Sequence, residues 1–407
     1  MTRIAFVFPY RGVGGVSNQF FNLASFLSQS DPTLEITIVD YKDGGMGSKY
    51  AENRIENLAF FEYKDDSTLH LESDYVVYQA MTPWTIFTGV YFNDDAKVIF
   101  WCCHPYNFIP SYPFIGRLKS NLEIYKTISS AIYFLFNRRL KHFVENLIRY
   151  NSIISIDHDS YRDSFKFLDV DKVSIPLVPV PIALDFVPIK NESNKVYDFC
   201  WVGRIEDFKI PIIKRFLTDL NDYLDYEAKI VFLGGGAKLT EMVQFAASLP
   251  HISAEFLGMV NPAEIKEILN ESRICAAMGT SAVEAARMGV PTVLLDFSYS
   301  DDNLVGYKYK WFHEREGYSV GSAVKSPYSV TGKKMSEMLS EYHNNAEILS
   351  KDGVKSAAFH DLKSVAQSFL GQLHAAGVRW KDLSSFFDKS IALLRRTIKH
   401  MKWRPTQ

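Results

Sequence analysis

Three segments of the chain combine glycine, cations and carboxylates in spacings that suit a phosphate-bearing ligand. The first is Arg11-Gly12-Val13-Gly14-Gly15-Val16-Ser17, set between an apolar run and a helical pattern. Backbone N–H groups and the helix dipole at such a turn attract an anionic or polar ligand, and Gly14 and Gly15 let it come close to the backbone. The alternative is a tight strand-to-helix turn with no ligand. Ser17 stands at the third glycine position of the dinucleotide fingerprint, while Asp40 ends the next strand where a ribose acid would sit, so an NAD site is only partly matched. The second segment, Val202-Gly203-Arg204-Ile205-Glu206-Asp207-Phe208-Lys209, follows another apolar strand. Arg forks two phosphate oxygens and Lys neutralises a third, so Arg204 and Lys209 suit a diphosphate leaving group whose charge grows as a bond breaks. The alternative is a solvated loop whose cations pair with Glu206 and Asp207. The third segment, Met278 to Pro291, places Thr280 and Ser281 at a helix start, with N–H groups free for phosphate. Glu284, one turn in, suits two ribose hydroxyls; the alternative is an acid capping the first turn.

To act together, these segments have to be carried to the carboxyl ends of parallel strands. Ile4 to Phe8, a helical pattern through Phe20, Leu23, Ala24 and Leu27, and Ile36 to Val39 read as βαβ. Further short apolar strands are expected at Tyr75 to Tyr78, Val98 to Trp101 and Ser152 to Ile156. Pro176, Pro179, Pro181, Pro188 and the polar run Lys190 to Lys195 read as an interdomain connection. After it the pattern restarts with strands at Asp198 to Val202, Lys229 to Leu233, Ile274 to Ala277 and Thr292 to Leu295. The expected domains are therefore 1–190 and 191–385, followed by a basic amphipathic helix over 386–407. In that helix Phe387, Ile391, Leu394, Ile398 and Met401 share one face, opposite Arg395, Arg396, Lys399, Lys402 and Arg404.

Composition agrees with two globular domains. The 407 residues are 47% hydrophobic and 23% charged, and single cores stop growing at about 250–300 residues. Lys plus Arg (45) against Asp plus Glu (47) gives a net charge of −2, which offers no global field for nucleic acid. Cys102, Cys103, Cys200 and Cys275 show no metal-ligand spacing and no disulfide density, which fits a reduced compartment. The N-terminal apolar run meets Pro9 too early for a signal peptide. The most apolar window, Ala131 to Phe136, is far shorter than the roughly 20 residues of a membrane span. A cytoplasmic protein is expected.

Taken in order, the three segments resemble the GT-B glycosyltransferases, in particular the family 4 type, over nearly the whole chain. The residues that carry the resemblance are Gly14, Gly15 and Val16, then Arg204 and Lys209, then Ser281, Glu284, Gly289 and Pro291. The resemblance implies an α/β fold of two facing Rossmann-like doubly wound domains with a C-terminal helix. It implies transfer of a hexose from a nucleotide diphosphate donor to a hydroxyl of a glycan acceptor, lipid-linked polysaccharide or surface glycan, with no cofactor beyond the donor as co-substrate. It also matches His104 to the family's active-site histidine, a position that would otherwise read as a packed histidine. The sequence departs from the family where its first paired glutamate would stand, at Ala276, and where Pro181 to Asp185 only partly echoes the "NG(V/I)D" linker. A catalytically silent carbohydrate-binding protein and a sugar-nucleotide epimerase are the rival readings on the same fold.

Asp157-His158-Asp159 and Asp169-Val170-Asp171 match the D-x-D metal motif of the other glycosyltransferase fold. Among 47 acidic residues such triplets arise easily, and Asp157 to Ser160 reads as a helix N-cap, so no metal is expected; Asp157 or Asp159 is a candidate general base. Between Tyr106 and Tyr150, Arg117, Lys119, Lys126, Arg138, Arg139, Lys141 and Arg149 outnumber Glu123 and Glu145. A helix here would lie on an anionic membrane surface with Tyr125, Ile132, Tyr133 and Phe136 among the headgroups; the alternative is packing against the protein. Oligomeric state is not legible.

Overall fold

A computed structural model describes the chain except for residues 13, 54, 87–88, 113, 117, 119–120, 183–194, 301–303, 325–330, 384–385 and 387–407. The expected helix over 386–407 therefore lies, but for Phe386, outside the described residues, as do Pro188, Arg117, Lys119 and most of the expected linker. The chain forms two compact units. Met1–Pro181 and the chain from Leu362 onward make the first, and Ile182–Asp361 the second.

The first unit runs β1 (Thr2–Val7), α1 (Gly15–Ser30), β2 (Leu34–Asp40), α2 (Gly45–Asn53), β3 (Leu58–Glu62), β4 (Leu69–Leu71), β5 (Tyr75–Gln79), β6 (Val90–Phe92), β7 (Lys97–Cys102), α3 (Leu122–Ile132), α4 (Phe134–Arg149), β8 (Ile153–Ser155) and α5 (Asp159–Leu168). Six strands pair in parallel in the order β3-β2-β1-β5-β7-β8, while β4 and β6 form a separate pair. Ile-Ala-Phe-Val in β1, Tyr-Val-Val-Tyr in β5 and Val-Ile-Phe-Trp in β7 are unbroken apolar runs because both faces of this sheet are covered. Ala5, Val7, Tyr78 and Phe100 belong to one core, which Phe143 of α4 completes.

The second unit runs β9 (Tyr197–Val202), α6 (Ile210–Tyr223), β10 (Ala228–Leu233), α7 (Leu239–Ala246), β11 (Ile252–Gly258), α8 (Pro262–Glu271), β12 (Ser272–Ala277), α9 (Thr280–Arg287), β13 (Thr292–Leu294), β14 (Lys310–Trp311) and α10 (Met335–Ala357). Its sheet order is β11-β10-β9-β12-β13-β14, parallel except for β14. This is the 3-2-1-4-5-6 order of a doubly wound fold, with the order reversing between β9 and β12.

The sequence placed residues 362–385 with the second domain, and the chain disposes of them otherwise. Helix α11 (Leu362–Ala375) packs on the first sheet, where Phe369 stacks on Phe6 (5.7 Å) and on Trp101 (5.3 Å). Val98 N–H then donates to Val378, and Trp380, in α12 (Trp380–Leu383), stacks on Tyr78. Burying one such aromatic ring stabilises by about 1.5–3 kcal/mol. A helical pattern shows that α11 has an apolar face but not which sheet that face covers.

Candidate functional site

In the second unit the two donor-side segments meet at the switch point. Val202 pairs with Ala277 at the carboxyl ends of β9 and β12, so the Gly203–Lys209 loop and the start of α9 leave neighbouring strands side by side. Ligands of open α/β sheets bind in that crevice. Arg204 is exposed, and neither it nor Lys209 has an ion pair or hydrogen-bonded acid among the described residues. Lys238 takes Asp207 instead, at 3.5 Å, and also holds Glu241 at 3.1 Å. Glu206 reaches Lys209 only electrostatically. Lys209 Nζ is half-buried over the rings of Trp201 (5.7 Å) and Phe208 (5.8 Å). Burial, with the charge of Arg204 beside it, pushes its pKa down to about 8. The loop is thus not a self-neutralised surface: its two adjacent cations have no ion pair among the described residues, and Glu206 acts on Lys209 only at a distance.

Across the crevice, α9 starts at Gly279 (φ +70°), a backbone conformation that favours glycine, and no side chain caps the helix. Thr280 and Ser281 therefore present the first N–H groups of α9, which helix geometry leaves without an intrahelical acceptor. Glu284 is not a first-turn cap, since no cap bond forms and the first turn holds no acid. Its carboxyl is half-buried with no hydrogen-bond partner among the described residues. Burial raises its pKa, and Lys266 on α8 opposes the rise. Ala276 is 2% exposed inside β12, where it pairs with Trp201 and Val293. The strand runs to Ala277 before the helix starts at Thr280, so the alanine at 276 belongs to the core.

The cation loop owes its course to glycines that follow β10. At Gly234 (φ +126°) a Cβ would lie 2.3 Å from the Gly203 carbonyl oxygen, and at Gly236 (φ +157°) 2.1 Å from that of Ile205. The Gly234–Gly236 turn thus presses directly on residues 203–205, and Ile205 N–H donates to Gly235. Lys238, Lys266, and the aromatic group of Phe208, Phe297 and exposed Tyr299 also escaped the sequence reading. Their signal was the short interval after a strand end, which singled out only the cations nearest the glycines.

In the first unit, Gly14 (φ −152°) and Gly15 lie at the start of α1, which no side chain caps. A Cβ on Gly15 would meet nothing within 4 Å, and on Gly14 only the Tyr10 ring at 3.7 Å. Neither glycine is demanded by backbone or packing, so the tight-turn alternative does not account for them. Ser17 Oγ, buried just behind, has no hydrogen-bond partner among the described residues. Asp40 is not available to a ribose: its carboxylate accepts the N–H groups of Tyr10, Tyr41, Met46 and Gly47, at 2.8, 2.8, 2.8 and 3.3 Å. It ties the glycine turn to α2, which removes the acid on which the NAD alternative rested.

His104 is exposed just past the end of β7. Its Nδ1 accepts the Tyr106 N–H at 3.1 Å, which fixes the ring in the turn. Asn107 Oδ1 fixes the same turn by accepting the N–H groups of Cys103 and His104. The carboxylate triplets serve the fold. Asp157 is buried and accepts the Ser160 N–H at 2.7 Å, closing the first turn of α5, and Asp159 pairs with Arg162. Asp169 ends α5 in the left-handed conformation and pairs with Lys126 at 2.5 Å. Neither Asp157 nor Asp159 therefore stands as an unengaged base. The aromatic face expected to meet a membrane is also placed otherwise. Tyr125 is fully buried with its hydroxyl on Pro110, Tyr133 stacks on Tyr112, and Phe136 packs edge-on to Trp84.

Two doubly wound units, the second with an anion-seeking crevice at its switch point, define the GT-B fold. The solved structures of HepE from Anabaena, in complex with UDP and glucose and with UDP-glucose, are similar to this chain with TM-scores of 0.53 and 0.52. Each is 11% identical over 92% of this chain and 100% of its own. A glycosyltransferase from Rickettsia africae is similar at a TM-score of 0.53, 11% identical over 91% of this chain and 97% of its own. No protein-family model matches the chain, and no curated protein matches its sequence.

Proposed function

We propose that the protein is a glycosyltransferase, of the family 4 type within the GT-B fold, moving a hexose from a nucleotide diphosphate donor to a glycan hydroxyl. The observation that carries this reading is the pair of unneutralised cations, Arg204 and Lys209, beside the uncapped start of α9. Arg204 and Lys209 bind the diphosphate with the N–H groups of Thr280 and Ser281, and Glu284 accepts from the ribose hydroxyls. As the sugar–phosphate bond breaks, negative charge accumulates on the departing phosphate, and fixed cations and N–H dipoles stabilise that charge without reorganising. The chain's own cations meet the diphosphate, so the proposal assigns no metal and no resident cofactor. Gly14 and Gly15 give donor and acceptor close access to the backbone of the first unit, and His104 contacts the donor sugar or assists at the acceptor. The uridine ligands of HepE make UDP-sugars the first donors to try. The acceptor is proposed to be a growing glycan on a lipid carrier, as in polysaccharide or surface-glycan synthesis.

A panel of UDP-, GDP- and dTDP-sugars tests the reading. The true donor should raise the melting temperature by mass action and be hydrolysed slowly in the absence of acceptor. If no donor binds, the reading fails. Binding without hydrolysis or transfer would favour the silent carbohydrate-binding alternative, for which the ground is the alanine at position 276 where the family has its first glutamate.

A further inference from the structure

Strands β9, β12 and β13 are neighbours in the second sheet and run parallel, so their carboxyl ends lie side by side. β9 leads to Arg204 and Lys209, β12 to the start of α9, and β13 to Phe297 and Tyr299. Tyr299 is 74% exposed. Its ring is braced without being covered: Phe208 lies at 6.2 Å and Phe297 at 6.3 Å, and these two meet edge-on at 5.9 Å. Lys209 Nζ stands 5.8 Å from the Phe208 ring, so the aromatic group begins where the cation pair ends. The backbone around it is fixed on both sides. Ser298 N–H donates to the Phe208 carbonyl at 3.0 Å, which ties the cation loop to the end of β13. Phe297 N–H donates to Ser322 and Val324 N–H to Phe297, while Gly279 N–H, at the start of α9, donates to Val320. One segment, residues 320–324, thus holds both the aromatic loop and the start of α9.

We infer that Tyr299, supported by Phe208 and Phe297, is the platform on which the hexose ring of the donor stacks. The inference rests on the nucleotide-sugar reading of the crevice and adds the direction in which the donor lies. Helix α8 packs over β9 and β12, and α9 over β12 and β13. Lys266 of α8 acts electrostatically on Glu284, which places that carboxyl on the β9 side of α9. A nucleotide sugar is a linear sequence of ribose, diphosphate and hexose. With the ribose at Glu284 and the diphosphate at the start of α9, the hexose is carried toward β13, where Tyr299 stands. A pyranose presents C–H bonds on the faces of its ring and hydroxyls around its edge. The negative face of an aromatic ring attracts those C–H bonds, and a ring already held in place loses little freedom when it is covered.

Calorimetry of the full-length protein with UDP, GDP and dTDP, and with UDP-glucose, UDP-galactose, GDP-mannose and dTDP-glucose, tests it. The nucleotide that binds the parent should bind more tightly when it carries a hexose. Tyr299→Ala should weaken the sugar-bearing form by about three- to tenfold, with the bare nucleotide and the melting temperature at their parental values. Tyr299→Phe, which keeps the ring and loses the hydroxyl, should bind both forms as the parent does, and Arg204→Ala should weaken both. Equal weakening of bare nucleotide and nucleotide sugar by Tyr299→Ala assigns the ring to the base and overturns the inference. Parental binding of every nucleotide sugar by Tyr299→Ala, a loss in Tyr299→Phe equal to that in Tyr299→Ala, or a parent that gains nothing from any attached hexose overturns it as well. In those cases the bare nucleotide still binds, and the diphosphate reading of the crevice stands. If the parent binds neither a bare nucleotide nor a nucleotide sugar, that reading fails and the inference falls with it.

Discussion

The two units share a strand order, and each sends an arginine out of the loop after its first central strand, yet the two arginines have opposite fates. In the first unit Arg11 lies over the Tyr41 ring at 3.7 Å and pairs with Asp43 at 3.4 Å and Asp65 at 3.8 Å. Asp40, beneath that loop, is saturated by backbone N–H groups. In the second unit Arg204 and Lys209 have no such partners among the described residues: Lys238 holds Asp207, and Glu206 acts on Lys209 only electrostatically. Topology supplies a crevice in both units, and local neutralisation decides which crevice attracts an anion. A residue type at the end of a strand is therefore weak evidence until its partners are known.

The comparison breaks most sharply on substitution of the two arginines. Arg204→Ala should lower kcat by about 10²–10³, as removal of one preorganised donor to a developing charge typically costs roughly 2.7–4 kcal/mol. Arg11→Ala removes exposed ion pairs, each of which contributes about 0–1 kcal/mol to stability, and the contact over the Tyr41 ring, and should leave kcat within about threefold. Equal loss in both would make the contrast between the crevices wrong. The glycines extend the contrast. Gly236→Ala forces a side chain into the Ile205 carbonyl at a positive φ, which should cost on the order of 1–3 kcal/mol of stability and shift the cation loop. Gly15→Ala meets open space at a helix start, so the melting temperature should hold or rise while turnover falls. Chemical denaturation read alongside steady-state rates would separate these two outcomes.

Much of this arrangement was legible in the sequence. Strands such as Tyr75–Gln79 and Ser272–Ala277 are apolar on both faces and bounded by turn residues, so periodicity alone finds them within a residue or two. Strand β11 was missed because Ile252 to Gly258 has only one residue buried and lies at a sheet edge, where polar side chains interrupt the apolar run. The return of Leu362–Ala375 to the first unit could not be read, since α11 buries Phe369 against Phe6 and Trp101, contacts far apart in sequence. The site was legible as residue types after strand ends. What the sequence withheld was pairing: that Lys238, not Arg204 or Lys209, neutralises Asp207, and that four N–H groups consume Asp40.

A smaller effect belongs to the ribose side. Glu284 is half-buried without a hydrogen-bond partner among the described residues, so a nucleotide that supplies two hydroxyls would relieve a carboxylate already removed from water. Glu284→Gln keeps the shape but weakens a charge-assisted acceptor, and nucleotide affinity should fall by about tenfold. The 2′-deoxy form of the same nucleotide should lose affinity for the parent and lose little more for the variant. A double-mutant cycle of protein and ligand reads that coupling directly, and additive losses would remove Glu284 from the ribose.

The smallest effect is the one that most directly probes the unneutralised pair. Burial and Arg204 lower the Lys209 pKa to about 8, because an ammonium beside another cation and away from water is disfavoured. A bound diphosphate reverses both influences and stabilises the charged form, so the pKa in the complex lies above that of the free protein. The sign follows from linkage. Below pH 8 Lys209 is already charged and affinity is flat; above pH 8 the free protein loses the proton that the complex keeps, and affinity falls by at most about tenfold per pH unit. Binding at pH 9 should therefore take up a proton, seen by calorimetry as a heat that differs between buffers of different ionisation enthalpy. Lys209→Arg stays charged throughout this range, so its affinity should be flat through pH 8–9. A parent profile as flat as that of Lys209→Arg would mean that Lys209 finds its counter-charge without the ligand, and the distinction between the two crevices would then rest on Arg204 alone.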